Sequence, residues 1–320
     1  MASSLFRKPA DRQMGLKVLA QGITGGGKSQ FGLGFPKIFA LDSETGLAFY
    51  ENDSPNLLGI ANTQDYNSIQ TALKEVETLV KKEAGSIGTL LIDSETKFYQ
   101  NLTDTALSVE EKKARKAGRD VNDSAISMRG WGRIKSVAQR LQNAKLDLSA
   151  KGVHIVSVAQ LEDVKEKQGE SFVKVGDKAV MQKGSEYDYD LILHFYTEEE
   201  GEDTRYFAKV LKDRTKTFKK GTIIENASFS MWEGKVVKKD AEIIESDFAG
   251  DSDKAKASYE EEDNAIQSNV DKFKELMKDD SKKSKALELL KTHKVKNPLA
   301  PKTDEEIKAM DTIVKELEKL

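Results

Sequence analysis

The chain contains no cysteine, which excludes disulfides, thiolate metal sites and cysteine nucleophiles and fits a reducing compartment such as the cytoplasm. Its three histidines show no metal-ligand spacing; His154 and His194 fall inside apolar runs, where a hydrogen-bonded core role suits them. No stretch approaches the roughly 18 uncharged apolar residues of a membrane span, and the start MASSLFRKPADRQ lacks the apolar segment of a signal peptide. A soluble, unexported protein with no membrane partner is the expectation. Charge of one sign is scarce too: 51 Lys and Arg face 54 Asp and Glu, a net of −3. Contact with nucleic acid must therefore come from local basic patches. What is present, 38% hydrophobic and 33% charged residues over 320 positions, suffices for one well-buried domain and a smaller, more solvated appendage.

Short apolar runs alternate with helical patterns from residue 16 to about residue 196, the signature of a parallel sheet with crossover helices. The strand candidates are Leu16 to Ala20, Ile38 to Leu41, Leu57 to Ala61, Ile87 to Ile92, Val153 to Val158 and Leu191 to Phe195; helices are expected over Tyr66 to Lys82 and Ile126 to Leu148. Antiparallel strands follow at Arg205 to Leu211, Gly221 to Ile224, Ser228 to Trp232 and Lys235 to Val237. The run Lys112 to Arg119 and the charged stretch Glu162 to Gly184 read as loops. DFAGDSDKAKASYEEED, residues 247 to 263, is short of large apolar residues and reads as a solvated linker. This gives a core over 1–245, a linker over 246–263 and a small helical module over 264–320, with helices at Ala265 to Met277, Lys283 to Thr292 and Asp304 to Leu320.

Residues 22 to 29 read Gly22, Ile23, Thr24, Gly25, Gly26, Gly27, Lys28, Ser29, followed by Gln30. A phosphate cradle needs backbone N–H groups converging on oxygen, which glycine permits by its left-handed φ values and close approach. The preceding strand and a helix expected to begin at Lys28 supply the context in which this pattern holds a nucleoside triphosphate. Lys28 is then expected to reach the terminal phosphates and the Ser29 hydroxyl to ligate Mg²⁺. ATP and Mg²⁺ are the expected cofactors.

Such a site also needs acids at neighbouring strand ends. Asp93 closes TLLID beside Ser94, where it can hold the metal through water. IFALDSE offers Asp42 and Glu44, either of which could be the base for water. Gln160 ends the run SVAQ as an amide able to sense the γ-phosphate or nucleic acid. Lys112, Lys113, Arg115, Lys116 and Arg119, with Arg129, Trp131 and Arg133, gather positive charge and one aromatic, as single-strand binding uses. Core packing is the expectation for Trp131.

With these pieces in order, residues 14 to 232 resemble the RecA/RadA-like recombinase ATPases, and most closely the small phage-encoded members of the Sak type, which are single-strand annealing ATPases. The resemblance implies an α/β fold: a RecA-like P-loop NTPase core with a mostly parallel sheet flanked by helices, antiparallel edge strands, and here a small C-terminal helical module. It makes Glu44 in LDSE the catalytic base, Asp93-Ser94 the metal-site pair, and Gln160 the sensor leading into a DNA-binding loop over Glu162 to Gly184. It also implies that Lys212 and Arg214, in LKDR, act as cationic fingers across a subunit boundary, although Asp213 stands where an asparagine is common. The expected partners are single-stranded DNA, further copies of the chain in a homo-oligomer, and a single-strand-binding or other replication protein at the C-terminal helices. The competing expectation is a nucleotide-switched docking module without annealing activity.

Overall fold

The computed structural model describes residues 8–9, 12–83, 85–169, 171–236, 244, 246–301 and 303–319. The first of its two compact units covers residues 1–249 and the second 250–320. In the first, β1 (Lys17–Gly22), α1 (Lys28–Leu33), β2 (Ile38–Asp42), β3 (Leu57–Asn62), α2 (Tyr66–Lys82), β4 (Thr89–Asp93), α3 (Glu95–Lys116), α4 (Met128–Ala150) and β5 (His154–Gln168) follow in order. Then come β6 (Ser171–Ala179), β7 (Leu191–Glu200), β8 (Asp203–Asp213), β9 (Ile223–Glu225) and α5 (Ser230–Val236). The sheet runs β3-β2-β4-β5-β1-β7-β8-β9. Strands from β3 to β7 in that order are parallel, and β8 and β9 close one edge antiparallel. This is the mostly parallel, helix-flanked α/β sheet with antiparallel edge strands that the alternating pattern predicts.

Period-2 alternation decides which residues face which layer. Leu91, Val156 and Val158 join Phe31 of α1 and Trp232 of α5 on one face. Leu90, Ile92 and Ile155 meet Ile69, Leu73 and Val76 of α2, with Leu141 and Leu148 of α4, on the other. Asp65 begins α2 by accepting from the Ser68 amide, and Lys81 and Lys82 end it on the side that suits the helix dipole.

Several expectations are corrected. Most of Glu162 to Gly184 is not a loop: β5 runs on to Gln168 and pairs antiparallel with β6, and only residues 180–184 lie beyond the hairpin. Both faces of that hairpin are solvated, so its sequence carries no apolar alternation. Lys112 to Lys116 lie in the last turns of α3 rather than in a loop. Ser228 to Trp232 was expected extended, yet α5 occupies Ser230–Val236, including Lys235 and Val236, while Val237 lies outside the described residues. Phe229 and Trp232 are both buried at a spacing of three, a helical rather than a strand interval. Trp232 is held further by its indole N–H donating to Asp213, 3.1 Å. The charged stretch at 247–263 is helical from Phe248 on, as part of α6 (Phe248–Leu276), because sparse apolar residues do not prevent a solvated helix. The second unit continues with α7 (Asp280–Thr292) and α8 (Asp304–Glu318), packed around Phe273, Ala286, Leu289, Met310 and Val314.

His154 is a satisfied core residue. Its Nδ1 accepts the Leu16 N–H at 2.9 Å, and its ring packs against Phe35 and Phe229. Burial pushes its pKa down to about 4, so the unfolded chain takes up this proton more readily than the folded one. The stability is therefore present above about pH 6.5 and lost as pH falls toward 4, by up to ~3 kcal/mol. Urea unfolding at pH 7 and pH 4.5 checks this: a His154→Asn variant should lose much of the slope, and an unchanged slope would assign it to other groups.

Candidate functional site

The glycine-rich turn sits where β1 leaves the sheet, between β5 and β7. Gly22 is pressed onto β7: a Cβ there would lie 2.1 Å from the Phe195 carbonyl oxygen. Gly25 and Gly27 have φ of 73° and 90°, left-handed values that strain other residues. Gly27 precedes the short helix α1, its carbonyl taking the Phe31 amide at 3.0 Å. The Lys28 ammonium folds back on the loop, donating to the carbonyls of Ile23 and Gly22 at 2.5 and 3.2 Å. Burial holds it below its ordinary pKa while Asp93 and Glu44 pull the other way.

Next to it, the Ser29 hydroxyl donates to Asp93 at 2.6 Å. Burial raises the Asp93 carboxyl above its usual range, against the Ser29 bond. Folded Asp93 thus holds its proton more tightly than the unfolded chain does. Its effect on stability is favourable at low pH and is lost as pH rises from 3.8 through the raised native value. Asp93→Asn should therefore raise the melting temperature of the ligand-free protein at pH 7, with the gain shrinking as pH falls, and weaken Mg-ATP uptake. Thermal melts and calorimetry read both; a lower melting temperature at pH 7 would refute this account of Asp93.

The neighbouring strand ends are stitched together. Ser43 N–H donates to the Asp93 carbonyl at 2.7 Å, and Ser94 N–H to the Ser43 hydroxyl at 2.8 Å. Asp42 is buried and fully used: its two carboxylate oxygens accept the Glu44 and Leu47 amides, each at 3.0 Å. Glu44 is exposed, and its Oε1 accepts from the Ser94 hydroxyl at 3.0 Å and the Gln160 amide at 3.1 Å. The geometry thus separates the two acids: Asp42 braces the turn and Glu44 is open to a ligand. Sequence reasoning missed Ser43 and Thr96. Thr96 accepts the Gln160 N–H at 2.9 Å and donates to the Val180 carbonyl, fixing the base of the hairpin. The Asp-Ser step that ends both β2 and β4 was the available signal for Ser43.

Lys212 and Arg214 are not brought to this cluster within the chain. Leu191 pairs with both Val18 and Asp213, whereas Gly22 pairs with Phe195, so the two cations lie toward the opposite edge of the sheet. Both donate to the Tyr187 carbonyl, and Arg214 also bonds Asp190. Asp213 between them anchors Thr215, Phe218 and Trp232, a use for its carboxylate in place of asparagine.

The basic residues cluster elsewhere. α3 and α4 are antiparallel: Lys145 near the end of α4 bonds Glu95 at the start of α3, and Ser127 at the start of α4 bonds Glu110. Lys112, Lys113, Arg115, Lys116 and Arg119 are exposed at the far end of this pair with Arg129 and Arg133, about 25 Å of helix from Glu95. Trp131 is 46% exposed there, contrary to the core packing expected of it.

A family model described as an AAA domain matches residues 14–222, more than half of the chain. The chain belongs to the AAA domain family. AAA domain proteins are P-loop ATPases that generally bind ATP with Mg²⁺, and the site suits that pair. Left-handed glycines leave a bare cradle that side chains would fill, and Ser29 with Asp93 offers the hard oxygen donors Mg²⁺ takes, alongside waters. Among the described residues no cluster of three His, Asp or Glu offers an all-protein metal site, and no helix is long and apolar enough to cross a membrane. A comparison with curated proteins finds no match.

Proposed function

We propose that this AAA domain protein is an ATPase whose nucleotide state controls binding of single-stranded DNA, in annealing or recombination during phage DNA metabolism. The observation that carries the reading is the hydrogen bond between Glu44 and Gln160, 3.1 Å. It links the open acid at the end of β2 to the strand that runs on into the β5–β6 hairpin. The amides of residues 22–29 would hold the phosphates of ATP with Lys28 beside them, and Ser29 and Asp93 would hold Mg²⁺. Mg²⁺ neutralises developing phosphate charge when bound. Glu44 takes or orients the proton of the attacking water, and loss of the γ-phosphate changes what the Gln160 amide can bond.

Two surfaces suit DNA in different ways. The hairpin exposes Phe172, Val173 and Val175, while its sequence has no surplus of positive charge: Lys165, Lys167, Lys174 and Lys178 stand against Glu162, Asp163, Glu166, Glu170 and Asp177. It supplies stacking rather than phosphate neutralisation. The surplus of positive charge lies on the α3–α4 end. Lys212 and Arg214 reach a phosphate site only if a neighbouring copy supplies them, so their finger role goes with a homo-oligomer. The second reading, a nucleotide-switched docking module recruiting replication or recombination proteins, draws on the groove between α3 and α4. That groove is a cavity of about 400 Å³ where Leu102, Ala106, Val109, Ile134 and Val137 meet the charged Glu110, Lys113, Arg129 and Arg133.

ATP turnover with and without single-stranded DNA tests the proposal. Several-fold stimulation that falls with added salt is expected; turnover indifferent to DNA would favour the docking module.

A further inference from the structure

We propose that Thr96 is a positioning residue of this site: its hydroxyl sets the reach of Gln160 to Glu44 and, through the same bonds, the seating of the β5–β6 hairpin. The proposal rests on the ATP reading above and adds to it a residue that acts through its neighbours.

Gln160 is the last residue of β5 to pair with β1, opposite Gly22. From Leu161 on, the strand leaves that pairing and runs against β6. At this exit the Thr96 hydroxyl accepts the Gln160 N–H and donates to the Val180 carbonyl, both at 2.9 Å. Val180 in turn donates its N–H to the Gln160 carbonyl at 2.9 Å, a bond across the base of the hairpin. One side chain thus holds both strands where they leave the core. A hydroxyl accepts and donates at a single atom, and Thr96 is fully buried, so water cannot stand in for it.

A closed ring of bonds passes through the same residue. Glu44 Oε1 accepts from the Ser94 hydroxyl at 3.0 Å and from Gln160 Nε2 at 3.1 Å. Ser94 lies two residues before Thr96, and Thr96 holds the Gln160 backbone. The ring is anchored on the first turn of α3, which the buried Lys145 pins through Glu95 at 2.5 Å. Oε1 of Glu44 takes both donors, and Oε2, without a hydrogen bond among the described residues, is the oxygen left for water. Loosening the Gln160 backbone therefore frees its amide side chain and the hairpin together.

Steady-state hydrolysis and amide hydrogen exchange over residues 162–168 and 171–179, both on the full chain, test this. Thr96→Val keeps the shape and loses the hydroxyl: kcat should fall about 10- to 100-fold with KM within about threefold. Exchange in the ligand-free hairpin should quicken about tenfold or more. Thr96→Ser keeps the hydroxyl and should hold both readings within about threefold of wild type. Gln160→Met cuts the ring but leaves the backbone bonds, so kcat should fall while hairpin exchange stays as in wild type; adding Thr96→Val should then lower kcat little further. Wild-type kcat in either Thr96→Val or Gln160→Met, wild-type hairpin exchange in Thr96→Val, or fully additive losses in the double variant overturns the proposal. So does a loss of either reading in Thr96→Ser, or quickened hairpin exchange in Gln160→Met, and these two variants decide the matter should Thr96→Val not fold. A wild-type chain that hydrolyses no ATP sinks the ATP reading instead, while the exchange readings still judge the hold of Thr96 on the hairpin.

Discussion

Lys28→Ala should lower ATP turnover by roughly 10³-fold or more at saturating Mg-ATP, with the fold retained. The size follows from position: Lys28 is the ammonium nearest the glycine cradle, partly desolvated, and its charge acts in a site where water screens little. The harmlessness to folding follows from its contacts, since its nitrogen bonds the carbonyls of Gly22 and Ile23 on the loop itself and nothing in the core. Removing it takes away the cation that offsets the burial of Asp93, so the Asp93 carboxyl should hold its proton still more tightly. Phosphate release and a thermal melt on the same sample read both halves. Turnover at the wild-type rate would mean that the cradle is not the site of hydrolysis.

Glu44→Gln should slow hydrolysis by about 10²- to 10⁴-fold and leave ATP affinity within about threefold. Glutamine keeps an oxygen able to accept from Ser94 and Gln160, so the local bonds survive while the proton acceptor is lost. Asp42→Asn is the informative contrast. Both oxygens of Asp42 already accept backbone amides, and an asparagine NH₂ cannot replace one of them, so that variant should lose stability first. Single-turnover hydrolysis beside equilibrium nucleotide binding distinguishes the two acids. A fast Glu44→Gln enzyme, together with a stable but inert Asp42→Asn enzyme, would reverse the assignment.

Much of this site is legible in the sequence, for a physical reason. Buried parallel strands must be continuous apolar runs, and the acids that end them, Asp42 and Asp93, mark the carboxyl edge where ligands bind. The glycines at 25 and 27 are legible for the same kind of reason, because few other residues tolerate their φ. What stayed hidden was structure without a buried face. The β5–β6 hairpin and the start of α6 are solvated, so neither period 2 nor period 3.6 is written into their hydrophobicity. The contact of Tyr206 with Gly27 was hidden differently: Tyr206 sits in β8, between β7 and β9, and only the strand pairing places its ring on Gly27. Likewise the burial of Lys145 against Glu95 depends on α3 and α4 lying antiparallel, which no local pattern encodes.

Calorimetric titration of Mg-ATP into the wild-type chain is the most direct measurement. One nucleotide per chain, with affinity that falls sharply when Mg²⁺ is chelated and again in Lys28→Ala, is the outcome expected. A folded, monodisperse sample that gives no heat of nucleotide uptake at millimolar ATP would contradict the central claim.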